Sequence, residues 1–125
     1  MNVELINDLI EYAVALDFKS IQDVEKYIRE HQDSKVTQMF NRLSLDDYYI
    51  FKEKITKITF RDKLLEMMKE RHITCQRLAE MLGLKSKQTV RYKIMQDTFK
   101  RQELNALRTV FNLDYTEFAR LLELK

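Results

Sequence analysis

Proline is absent and glycine occurs once in this 125-residue chain, so the backbone has almost no residue suited to breaking a helix or reversing sharply. The lone glycine, Gly83, ends the stretch Leu78-Ala79-Glu80-Met81-Leu82-Gly83-Leu84. A basic stretch follows at once: Ser86-Lys87-Gln88-Thr89-Val90-Arg91-Tyr92-Lys93-Ile94. A residue without a Cβ adopts the left-handed conformation that ends many helices at little steric cost. One sharp left-handed bend is therefore expected, at Gly83, joining a short apolar helix to a short helix rich in Lys, Arg, Gln and Thr.

The rest of the chain repeats the helical period. Ile6, Leu9, Ile10, Ala13 and Leu16 form a stripe behind Asn2, and after a break at residues 17–20 Ser20 opens a helix carrying Ile21, Val24, Tyr27 and Ile28. Ser34 precedes Val36, Met39, Phe40 and Leu43. Ser44-Leu45-Asp46-Asp47 resembles a capping box with Asp in place of Glu, and Thr59 with Asp62 repeats that spacing. Thr74 is expected to cap the short helix ending at Leu82, and the basic helix to run from about Ser86 to Met95. Leu104, Leu107 and Phe111, then Tyr115, Phe118, Leu121 and Leu122, mark the last two helices. The expectation is an all-α protein. No repeat or Gly/Ser/Pro linker divides it, so the two halves are expected to pack together or to share a continuous helix near Ile55–Phe60.

Hydrophobic residues make up 45% of the chain and charged ones 34%, which supports a globular core and excludes a disordered chain. No apolar run approaches the roughly 18–20 residues of a membrane span. The first residues lack the basic start and cleavage site of a signal peptide, and one cysteine, Cys75, makes no disulfide framework. Both features fit a reducing cytoplasm. The net charge of +2 conceals an asymmetry: residues 1–57 hold 8 Lys/Arg against 11 Asp/Glu, whereas residues 58–125 hold 14 against 9. Around the basic helix stand Lys85, Lys87, Arg91, Lys93, Lys100 and Arg101 against Asp97. Such clustering suits a polyanion.

Two short helices with a tight turn between them, the second basic, form the arrangement by which a helix-turn-helix offers its second helix to the DNA major groove. The first helix needs a small residue against its partner, and Ala79 has the size and place for it. Leu84 returns the chain to the core. With Val90 turned inward, Lys87, Gln88, Arg91 and Tyr92 point outward; with Thr89 inward instead, that set rotates by about 100°. Arg and Lys suit guanine O6 and N7, and Gln suits adenine N6 and N7. Ser86, Thr89, Lys93 and Lys100 are candidates for phosphate contacts, together with Thr74 and Gln76 where the first helix opens.

On these residues, the stretch 59–123 resembles the lambda-repressor/Cro-like (Xre-type) DNA-binding domain. The similarity runs from Ile73-Thr74-Cys75-Gln76-Arg77 through Leu78–Leu84 and Lys85–Val90, and resumes at Phe111-Asn112-Leu113-Asp114-Tyr115-Thr116-Glu117-Phe118. The resemblance implies a five-helix bundle whose second and third helices read double-stranded DNA, transcriptional regulation, a homodimer on palindromic sites, and a bacterial or phage origin. Two departures stand out. Cys75 occupies the place where the family usually has Gln, with Gln76 beside it, and Val90 falls one residue further past the glycine than the family's usual anchor. The resulting division is an acidic domain of about four helices at residues 1–57, for dimerisation or partner binding, and a DNA-binding domain at 58–125.

Other chemistry finds no support. His31, His72 and Cys75 lack zinc-ligand spacing, one glycine makes no phosphate loop, and no nucleophile–base set emerges, so neither an enzyme nor a cofactor is expected. Tyr48-Tyr49-Ile50-Phe51 puts four large side chains around most of a helix. They are buried on two sides within one chain, or some of them form a dimer or partner interface. The second possibility, with the acidity of residues 1–57, motivates a rival reading: a protein-interaction module or inhibitor from a mobile element that binds a host protein.

Overall fold

The computed structural model describes all 125 residues and contains helices but no strands. The chain is all-α. In order the helices are α1 (Val3–Ala15), α2 (Ile21–Glu30), α3 (Lys35–Asn41), α4 (Leu45–Ile55), α5 (Phe60–Glu70), α6 (Cys75–Leu82), α7 (Lys87–Gln96), α8 (Arg101–Val110) and α9 (Tyr115–Glu123).

Helix starts are set by short polar side chains. Asn2, Ser20, Ser34, Ser44, Thr59, Thr74, Ser86 and Asp114 each accept a hydrogen bond from the backbone N–H three residues on. Each satisfies a donor that the helix itself leaves free and contributes about 1 kcal/mol. Thr59 and Asp62 close a reciprocal capping box, the Asp62 carboxylate accepting from the Thr59 N–H at 2.9 Å. The box expected at Ser44 is only half made. Asp47 donates its N–H to Ser44 Oγ, but its buried carboxylate leaves its own helix and accepts the Asn2 N–H at 3.2 and 3.3 Å. The free amides and partial positive charge where α1 begins draw the carboxylate there.

Helix ends correct the expectation of a single left-handed bend. Gly83 has φ +69°, and Asp17, His72, Asp97 and Asn112 also lie at φ between 51° and 60°. Each is followed by a residue whose N–H reaches back five positions: Phe18 to Ala13 O, Ile73 to Met68 O, Leu84 to Ala79 O, Thr98 to Lys93 O and Leu113 to Arg108 O, at 2.8–3.1 Å. These are Schellman closures. Asp, Asn and His tolerate the left-handed region better than other side-chain-bearing residues, which is how a chain with one glycine makes five such turns.

The chain forms two compact units, Met1–Ile58 and Thr59–Lys125. A continuous helix does not join them: α4 ends at Ile55, and Thr59 is an extended N-cap. In the first unit α1 packs on α3 and α4 around Ile6, Leu9, Val24, Phe51 and Ile55. The aromatic run on α4 resolves as two-sided burial with one exception. Phe51 is in the core, Tyr48 and Ile50 are half-buried, and Tyr49 is 58% exposed. In the second unit Phe60, Leu64, Leu78, Val90, Leu107 and Phe111 form the core, and α6 with α7 is the most closely packed pair. No helix is long and apolar enough to cross a membrane.

Candidate nucleic-acid interface

The turn between α6 and α7 is built from backbone hydrogen bonds and two buried faces. On α6, Leu78 and Ala79 are buried; Ala79 O accepts the Leu84 N–H at 2.8 Å and Glu80 O the Gly83 N–H at 3.3 Å. A Cβ on Gly83 would meet nothing within 4 Å, so backbone conformation rather than space selects glycine here. Leu84 packs half-buried against the core, and Ser86 caps α7.

Val90 settles the register of α7. It is fully buried, Ile94 one turn later is buried with it, and Thr89 is half-buried at the edge. The opposite face therefore carries Gln88, Arg91, Tyr92 and Met95, at i, i+3, i+4 and i+7, with Lys87 on its flank. All five are exposed. Lys87, Gln88, Arg91 and Tyr92 thus stand together on one outward surface.

The remaining candidate residues divide. Ser86 Oγ accepts the Thr89 N–H at 3.4 Å and lies 3.3 Å from Thr89 Oγ1, so both hydroxyls are engaged in the cap. Thr74 Oγ1 is likewise taken by the Arg77 N–H at 3.1 Å. Gln76 is exposed and its Nε2 is 3.5 Å from Glu80 Oε1, which leaves its other amide groups open to solvent. Lys100 is exposed at the N-cap of α8.

Lys93 is the clear correction. Its ammonium donates to Glu103 Oε1 at 3.0 Å, with only 14% and 12% of the two side chains exposed, so its charge is spent inside the bundle and not offered to a phosphate. Glu103 also accepts the Lys100 N–H at 2.7 Å. Burial alone would raise the Glu103 pKa; the Lys100 amide and the Lys93 ammonium outweigh it and hold the carboxyl below its ordinary value.

Neighbouring carboxylates are similarly engaged. Glu80 pairs with Arg77 at 3.3 Å and Asp97 with Lys125 at 2.9 Å. Lys85, Lys87, Arg91 and Arg101 have no carboxylate within ion-pair distance. Lys87 and Arg91 thus put two cations without a close carboxylate on the exposed side of α7, which favours an anionic partner there.

Arg61 and the exposed Met95 extend this surface beyond the residues expected from the sequence. Arg61, in the first turn of α5, brings Nη1 to 4.0 Å from Met95 Sδ, at the C-terminal end of the same α7 surface. Met95 was legible from its i+7 spacing after Gln88. Arg61, 34 residues away in sequence, had no local signal.

No group of three His, Cys, Asp or Glu side chains is placed to hold a metal ion. Comparison of the chain with protein-family models, with curated proteins and with solved structures finds no match.

Proposed function

We propose that Thr59–Lys125 is a sequence-specific double-stranded DNA-binding domain of the lambda-repressor/Cro-like kind, with α6–α7 as its helix-turn-helix. The chain then acts as a transcriptional regulator, binding as a homodimer to two half-sites about 34–36 Å apart. The observation carrying this reading is the α7 surface: Lys87, Gln88 and Arg91 are exposed side by side, while Val90 and Ile94 anchor the opposite face. Arg and Gln there match the edges of guanine and adenine, and the unpaired Lys85, Lys87 and Arg101 supply backbone attraction. Selection of bound duplexes from a random pool, followed by gel shift, tests binding, sequence preference and palindromy together. Absence of duplex binding at low salt would overturn the proposal.

One observation favours a second reading, a protein-interaction module in the acidic first unit. Leu45 and Tyr49 stand one turn apart on α4 and are 69% and 58% exposed, so together they offer a small apolar patch on the acidic unit. Affinity capture with the full chain against a Leu45→Ser, Tyr49→Ser variant separates the two: a partner lost by that variant, with DNA binding intact, assigns the first unit a role of its own.

A further inference from the structure

The outward face of α7 is not wholly polar. Tyr92 is 64% exposed and Met95 60%, and the two lie three residues apart, neighbours on the helix surface. Both are flanked by cations: Arg91 precedes Tyr92, and the Arg61 guanidinium reaches Met95 Sδ at 4.0 Å. No ring contact holds Tyr92, although the tyrosines Tyr27, Tyr48 and Tyr115 each pack against a ring or a guanidinium. An apolar pair with a guanidinium beside each member fits a partner that carries both anionic and apolar groups. The DNA major groove has this pattern, phosphates on either side and thymine C5-methyl groups on its floor.

We infer that Tyr92 and Met95 read thymine, packing against the C5-methyl group of one or two base pairs beside those contacted by Gln88 and Arg91. The inference rests on the DNA-binding reading and deepens it by assigning part of the sequence preference to a hydrophobic contact. Arg61 then borders the same base steps as a phosphate contact. A flexible thioether and a phenol ring suit this task because each covers a methyl group without requiring a hydrogen-bond partner from it.

The test uses the full chain and a duplex selected from a random pool. Each thymine in the selected site is replaced singly by deoxyuridine, which removes the methyl group and leaves every hydrogen-bonding group in place. At one or two thymines the unaltered chain should bind about fourfold more weakly per methyl group lost. The Tyr92→Ala, Met95→Ala variant should bind the thymine and deoxyuridine duplexes equally. Both side chains are on the surface, so the variant should keep its helical circular dichroism, and the deoxyuridine series on the unaltered chain stands without it. Unchanged affinity at every deoxyuridine, an equal loss in the variant, or a selected site without thymine would each overturn the inference while leaving DNA binding intact. Failure to bind any duplex would overturn the DNA-binding reading itself, and this inference with it.

Discussion

The Lys93 ammonium and the Glu103 carboxylate join α7 to the start of α8 across a 3.0 Å hydrogen bond that is largely closed to solvent. The same carboxylate takes the Lys100 amide, so one side chain holds both ends of the connection between the two helices. The pair ties α7 to α8.

Acid should loosen that tie. The Glu103 carboxyl is held below its ordinary value of 4.5, so its contribution is fully present above that pH and is lost as pH falls through the lower folded value. Glu103→Gln should destabilise the second unit by about 1–3 kcal/mol at neutral pH, because Lys93 loses its charged acceptor. It should also flatten the fall in stability below pH 4.5. Calorimetric melting of both chains across the acidic range checks the two outcomes.

Lysines on and behind the α7 surface should behave differently. Lys87→Ala should lower the slope of log affinity against log salt by about 0.9 if it neutralises one phosphate. Lys93→Ala should leave that slope unchanged and lower the melting temperature instead. Arg91→Ala with Gln88→Ala should remove sequence preference, at about 1–3 kcal/mol per bidentate contact, with little change in melting. Titrations at several salt concentrations on selected and scrambled duplexes distinguish all three.

Gly83 is expected to respond to backbone preference and not to bulk. Its φ of +69° and the open space around it mean that Gly83→Asn should lose less than about 1 kcal/mol, and Gly83→Val about 1–2 kcal/mol. Equal losses from the two substitutions, measured by urea unfolding, would show that some contact of the glycine matters more than its conformation.

In the first unit, Asp47→Ala should release the start of α1. The buried carboxylate is the acceptor of the Asn2 N–H, and its removal should be worth about 1–3 kcal/mol. Amide exchange should rise first at the opening turn of α1. Protection unchanged there would argue that the hydrogen bond contributes nothing net.

What the sequence disclosed follows the range of the interaction. Ser20, Ser34, Thr59, Thr74 and Ser86 were legible as helix starts because a cap is a contact between residues three apart. The inward turn of Val90 was legible from helical period, and the alternative with Thr89 inward falls because Val90 is the fully buried one. Lys93 was misread as a phosphate ligand because its acceptor sits on the next helix, where only packing decides who faces whom. Asp47 was misread for the same reason, its acceptor role lying 45 residues away. The left-handed turns at Asp17, His72, Asp97 and Asn112 carry no such local mark, because Asp, His and Asn also occur freely in right-handed backbone whereas glycine stands out.

Helix openings bonded over three residues and closings bonded over five make most of the backbone hydrogen bonding local, although each core still joins helices far apart in sequence. Such a chain should regain its native form quickly after dilution from denaturant, in microseconds to milliseconds for each unit. With no proline to isomerise, the tens-of-seconds phase that slows many refolding proteins has no source here. Stopped-flow circular dichroism should therefore recover its full amplitude without a slow tail.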